Sequence, residues 1–270
     1  MQRRFRLRRS LNAAEAGDAF WIQIGQQEPP APEERSQLLC AGAITAYELV
    51  PWGSNYTFLV ALAGDDGQPR AIGIYKPRQG EAPLWDFPDG TLYRREYAAY
   101  LLSRQLGWVM IPETVIREGP YGVGTVQTYI EVADDTHYFT LRESHTADLQ
   151  QIAVFDIITN NADRKAGHLF QGIDGTVYGI DHGLTFNTQP KLRTVIWDFA
   201  DEPVPDTLLH DLETRLLAPS AASALRAQLA PLLERGEIDR FFARVERLLA
   251  TRVYPGFNPG RSHNIPWGFL

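Results

Sequence analysis

The sequence predicts an α+β protein in two lobes, a β-rich first lobe followed by a mainly helical second one. Three observations carry this. The chain has 270 residues, 44% of them hydrophobic. That is enough for a core without disulfide or metal staples, and more than one compact core usually holds. Before residue 131 most apolar runs are short and strand-like; after residue 146 they recur mostly at helical spacing. Charged residues make up 22% and mean hydropathy is −0.26, which excludes a mostly disordered chain.

Taken in order, residues 1–32 form an Arg-rich, Pro-containing N-terminal segment, with Pro-rich composition over 28–34. The first lobe, 33–131, opens with a short helix over Glu33–Cys40. Strands follow over Ala43–Val50, Tyr56–Ala63 and Arg70–Lys76, with Asp65-Asp66-Gly67 as a turn. Residues 80–90 carry Pro83, Pro88 and Gly90 and read as a loop. A helix runs from Leu92 to Leu106 and stops at Gly107. Glu113–Arg117 and Gly124–Ile130 are two further strands, and a hinge falls near residue 131. The second lobe, 132–270, starts with a helix over Thr146–Asn160. Two brief strands, His168–Gln171 and Val177–Ile180, flank the turn Ile173-Asp174-Gly175-Thr176. Helices then cover Asp206–Leu217, Ser220–Glu234 and Ile238–Ala250. In the last, Ile238, Phe241, Phe242, Val245, Leu248 and Leu249 form a core stripe.

The charge balance narrows the function classes. There are 26 basic and 33 acidic residues, a net charge of −7. Arg3, Arg4, Arg6, Arg8 and Arg9 crowd the start, so residues 11–270 carry −12. So acidic a body is a poor nucleic-acid or anionic-membrane binder, since both require cations that displace counterions. No apolar signal region follows the Arg cluster, and no stretch is long enough for a transmembrane helix. A single Cys40 excludes an internal disulfide and suits a reducing cytoplasm. Only three of the 26 cations are Lys: Lys76, Lys165 and Lys191.

The most informative stretch is Asn160-Asn161-Ala162-Asp163-Arg164-Lys165-Ala166-Gly167-His168. It puts a carboxylate five residues before an imidazole, in a loop between a helix and a strand. Gly179-Ile180-Asp181-His182-Gly183 follows at the end of the second short strand. Phosphoryl transfer needs one carboxylate to orient or deprotonate the attacking hydroxyl, and other ligands to hold a divalent cation on the phosphates. An Asp loop followed by Asp-x-Gly supplies both. In the first lobe, Gly53, Ser54 and Asn55 lie in a loop joining two strands, where backbone amides and the Ser54 hydroxyl can cover phosphates. An ordinary hairpin turn accounts for them equally well. Lys76 ends an apolar strand, where it is either a phosphate-binding ammonium or a surface strand end. Glu96 sits among Tyr93, Tyr97 and Tyr100, as a partner for Lys76 or on a solvated helix face.

This order of strand, loop, strand, Lys, helix with Glu, hinge, Asp-Arg-x-x-x-ligand and Ile-Asp-x-Gly resembles the protein-kinase-like superfamily. Within it, the chain looks most like the phosphatidylinositol 3-/4-kinase-like branch, especially type II phosphatidylinositol 4-kinases and their bacterial relatives. Asn161-Ala162-Asp163-Arg164 resembles that branch's Asn-Thr-Asp-Arg, and Ile180-Asp181-His182-Gly183-Leu184-Thr185-Phe186 its Ile-Asp-Asn-Gly-Leu-Ala-Phe. The resemblance spans about residues 43–200 and is strongest over 155–186. It implies a bilobal protein-kinase-like fold with ATP in the cleft. It also implies roles: Lys76 on the α/β-phosphates with Glu96 as partner, and Gln127, Tyr129, Ile130 and Glu131 in the hinge near adenine. Asp163 becomes the catalytic base and Asp181 a Mg2+ or Mn2+ ligand, with Lys165 in the Asp163 loop. Arg164 stabilises either that loop or the transferred phosphoryl group. His168 stands where the family has a metal-binding Asn; it ligates a softer ion such as Mn2+, hydrogen-bonds Asp181 or the phosphate, or merely caps the strand.

The expected activity is therefore ATP-dependent transfer of the γ-phosphate to a hydroxyl of a protein, small molecule or lipid. Lys191 and Arg193, after the second motif, are placed to read an anionic acceptor. Lipid is disfavoured by the lone cysteine and the acidic body. Two alternatives stand beside a kinase: a nucleotide-binding pseudokinase, and a nucleotidyl transferase on the same fold.

Overall fold

The computed structural model describes residues 14–15, 18–51, 53–257 and 263–268. The five leading arginines and Trp52 lie outside them. The chain divides into two compact units, 1–93 with 113–129, and 94–112 with 130–270.

The first unit is built on one sheet. Its strands are β1 (Ala14–Glu15), β2 (Ala43–Leu49), β3 (Phe58–Ala63), β4 (Pro69–Pro77), β5 (Thr114–Gly119) and β6 (Gly122–Thr128), in the order β1-β2-β3-β4-β6-β5. β1 pairs parallel to β2, and every other pair is antiparallel. β4 shows why these residues form a strand. Ala71, Gly73, Tyr75 and Pro77 are buried, while Ile72, Ile74 and Lys76 point to the other face and are half-buried. Helix α2 (Pro32–Ala41) packs Leu38 and Leu39 with Tyr47, Phe58, Val60, Tyr75 and Val126. Helix α1 (Asp18–Gly25), which period alone did not reveal, puts Trp21 and Ile24 with Ala46 and Ala61, and Leu59 and Ile72 pack alongside. Gly124 permits a close strand pairing, because a Cβ there would sit 2.3 Å from the Lys76 carbonyl oxygen.

A loop leads from β4 to helix α3 (Leu92–Leu106), whose bounds match those read from the sequence. Both carboxylate oxygens of Glu81 accept from the first amides of that helix, Tyr93 N–H at 2.8 Å and Leu92 N–H at 3.1 Å. The amide groups exposed at a helix start are thereby satisfied from the near end of the loop. Trp85 stands 90% exposed at its tip.

The second unit is mainly helical. It contains most of α3, α4 (Tyr138–Leu141), α5 (Thr146–Thr159), the hairpin β7 (Leu169–Gln171) and β8 (Val177–Gly179), α6 (Asp206–Leu212), α7 (Pro219–Leu229) and α8 (Arg235–Thr251). The expected helix over Asp206–Leu217 is α only to Leu212; Glu213–Leu217 widens into a π turn. The one expected over Ser220–Glu234 ends at Leu229, and Glu234 instead caps α8 through a reciprocal bond with Glu237. The core joins Ala98, Leu102 and Leu106 of α3 with Phe155 and Ile158 of α5 and Phe241, Phe242 and Val245 of α8. Arg95 is buried with them, donating to Glu237 at 2.5 Å and to the Thr185 carbonyl at 2.8 Å. Among the described residues, no helix is long and apolar enough to cross a membrane. The α+β class, strand-rich then helical, is as the sequence predicts.

Candidate active site

The site is assembled where α5 ends. Asn160 takes the left-handed conformation (φ 57°) that closes the helix. Its side chain then clamps a later segment, donating to the carbonyls of Asn187 (2.9 Å) and Gln189 (2.7 Å) and accepting from Lys191 N–H (2.8 Å). Asn161 is buried. Its Nδ2 donates to Asp156 at 2.9 Å, and its Oδ1 accepts from Asp163 N–H at 3.0 Å, which turns the chain and presents Asp163. The loop is bound along both sides: Ala162 N–H donates to Leu184 O, Arg164 N–H to Arg193 O, and Val195 N–H to Arg164 O. The residue types that looked like loop composition in the sequence are thus the fasteners of the loop.

The partners of Arg164 are internal. Arg164 is fully buried, as is Asp156 of α5, and the two are paired at 2.9 Å. Its Nη1 donates to Ile180 O at 2.8 Å and its Nη2 lies 2.7 Å from His182 Nε2. Its guanidinium is thus engaged by the Asp156 carboxylate, the Ile180 carbonyl and the His182 ring. Asp156 was missed in the sequence. The available signal was an acidic residue amid the apolar positions Ile152, Phe155 and Ile158, all now buried.

Three donors converge above this pair. Asp163, His168 and Asp181 each offer a ligand atom, all within 4.8 Å of one another. The hairpin β7–β8 performs the juxtaposition: Ile180 N–H donates to His168 O, bringing the start of one strand beside the end of the other. His168 Nε2 lies 3.4 Å from Asp181 Oδ2, and its Nδ1 faces Lys165 N–H at 3.4 Å. Lys165 Nζ pairs with Asp163 Oδ2 at 3.2 Å. Burial raises the pKa of the Asp163 carboxyl above the usual Asp value; the Asp181 charge adds to this, and Lys165 and Arg164 oppose it. A divalent cation fits the set. Two carboxylates and an imidazole are hard and borderline donors, and a cation among them offsets the repulsion between Asp163 and Asp181.

The other sequence candidates lie elsewhere in the two units. Lys76, on β4, faces the same side of the sheet as Ile72 and Ile74 and pairs across to Thr125. Gly53 has a positive φ of 107° and Ser54 is exposed, but Asn55 Oδ1 accepts from Ala82 N–H at 2.8 Å and so pins the neighbouring loop. Gln127 is buried and spends its amide on the Thr114 hydroxyl (2.8 Å). Tyr129 is exposed, and its N–H donates to Ile72 O. Ile130 is half-buried, and Glu131 O accepts from Ile173 N–H. Glu96 is buried on α3 and not on a solvated face.

No family model matches the chain. Protein Rv2133c of Mycobacterium tuberculosis (strain ATCC 25618 / H37Rv) is 36% identical over 270 aligned positions, covering 87% of this chain and 95% of that protein. The chain belongs to the Rv2133c family. That name states no activity. Among solved structures, the chain is similar to the Helicobacter pylori proinflammatory kinase CtkA, with 11% identity and a TM-score of 0.46 over 77% of this chain and 93% of that one.

Proposed function

We propose that this member of the Rv2133c family is an ATP-dependent phosphotransferase of kinase-like organisation, with functional lobes over 33–131 and 132–270. The observation that carries the reading is the convergence of Asp163, His168 and Asp181 above a buried ion pair. Asp163 is the acceptor-side base, its proton affinity raised by burial towards the range useful for general base work. Asp181, with His168, is the cation-holding side. A bound Mg2+ or Mn2+ would neutralise phosphate charge there. Lys76 is the phosphate-binding lysine, and Gln127–Glu131 the adenine-side segment. The acceptor is a hydroxyl on a protein or small molecule, approached past Lys191 and Arg193, whose segment is hydrogen-bonded to the Asp163 loop. A lipid acceptor fits the acidic body less well.

A second reading is favoured by one observation. Lys165 already pairs with Asp163, and His168 already faces Asp181, so the chain's own cationic and imidazole groups occupy both carboxylates. That is the arrangement of a nucleotide-binding module without transfer. Incubation with γ-labelled and α-labelled ATP, with Mg2+ or Mn2+, separates the readings. Label passed only from the γ position supports a kinase, and only from the α position a nucleotidyl transferase. A nucleotide-dependent rise in Tm without transfer supports the module.

A further inference from the structure

We infer that His182 is a positioning residue for Asp181, acting through the buried Arg164–Asp156 pair. The inference rests on the reading of Asp181 as a cation ligand. Asp181 has a left-handed backbone (φ 61°), which an L residue other than Gly adopts at a cost that its surroundings must offset. Those surroundings converge on one side chain. Arg164 holds the residue before Asp181 through the Ile180 carbonyl and the residue after it through the His182 ring.

Guanidinium has donors and no acceptor, so His182 Nε2 must supply a lone pair and its proton sits on Nδ1. Arg164 is aimed in turn by Asp156, with Nε 3.0 Å from Oδ2 and Nη2 2.9 Å from Oδ1. Asn161 (2.9 Å) and Thr194 (3.4 Å) hold the same carboxylate. Asp156, Arg164, Asn161, His182 and Thr194 are each at most 2% exposed. Phe155 meets the His182 ring edge-on at 5.6 Å and limits its rotation. Removing the ring nitrogen releases one of the two holds on the strained residue and lets Asp181 relax away from Asp163 and His168. Outer partners of ligating groups typically account for 10–100-fold in metal affinity, which sets the expected scale.

The test is Mn2+ binding, followed by the electron paramagnetic resonance signal of free Mn2+, in the full chain and in Asp181→Ala, His182→Leu, His182→Asn and His182→Gln. Folding is checked by circular dichroism. Gln places an amide oxygen near the Nε2 position, whereas Asn reaches only as far as Nδ1. The expected result is a roughly 10–100-fold rise in Kd for Leu and Asn, with Gln within about threefold of wild type. If His182→Leu does not fold, the polar and smaller His182→Asn carries the comparison. Wild-type Kd in a folded Leu or Asn variant overturns the inference. So does a loss that Gln fails to rescue, which would mark a packing role. If Asp181→Ala leaves Mn2+ binding unchanged, the cation reading itself fails, a result distinct from both.

Discussion

Replacing Asp156 by Asn tests the foundation of the site. The side chains are nearly isosteric, so the change removes charge and reverses one hydrogen-bonding atom while volume stays constant. The carboxylate accepts from Arg164 Nε and Nη2, from Asn161 Nδ2 and from Thr194 Oγ1, and neither member of the ion pair has measurable exposure. In the variant, the guanidinium is left buried without a counter-charge and one NH2 group faces donors. Breaking a buried pair in this way costs about 3–5 kcal/mol. That compares with a total stability of roughly 5–15 kcal/mol for a typical domain. At about 2–4 °C per kcal/mol for chains of this size, Tm should fall by roughly 6–20 °C. Thermal unfolding followed by circular dichroism measures it. Asp156→Leu combined with Arg164→Met removes both charges and should be less destabilised than Asp156→Asn alone, because no charge is stranded. A Tm for Asp156→Asn within about 2 °C of wild type would refute the reasoning.

Four further outcomes are expected. Asp163→Asn should abolish transfer while retaining nucleotide binding; it should also keep or raise Tm. The folded pKa of Asp163 lies above its unfolded value, so ionising it costs stability as pH rises through that interval, and Asn does not incur the cost. Turnover carried by Asp163→Asn at the wild-type rate would remove it as the base. Lys165→Met deletes a charge that favours ionisation of Asp163, so the acid limb of the rate–pH profile should move to higher pH; an unmoved or lowered limb contradicts the pairing. His168→Asn exchanges a borderline nitrogen for a hard oxygen and should shift cation preference from Mn2+ towards Mg2+, read as the ratio of their Kd values. Gly124→Ala drives a Cβ to 2.3 Å from the Lys76 carbonyl and should lower Tm by several degrees and weaken nucleotide binding together. A purely thermal effect would separate Lys76 from the nucleotide.

Local spacing made much of this legible. Helix α3 has the bounds its apolar periodicity and Gly107 require, and the strands shift only by a residue or two. Asp163, His168 and Asp181 could be grouped because a short hairpin separates the two motifs, and a hairpin returns the chain to its start. Long-range pairings were not legible. Nothing in the period of α5 says that Asp156 meets Arg164, or in α3 that Arg95 meets Glu237, 142 residues away. Such partners are chosen by tertiary packing, and the sequence marks them only as charges on otherwise apolar faces. The partner of Asn55 was not legible for a related reason: a polar loop residue near a glycine suits a phosphate and a backbone amide equally, and here its Oδ1 accepts from the Ala82 amide.

The loop closed by Glu81 has a practical consequence. One carboxylate binds the far end of the loop to its near end, so the chain between residues 82 and 91 forms a tied-off excursion. Lengthening such a segment adds only about 0.6 kcal/mol for each doubling of its length, because its ends stay where they were. Foreign sequence spliced in beside Trp85 should therefore leave the start of α3 in register. The same excursion offers a place to graft an affinity tag, or a dye with Trp85 as its energy donor.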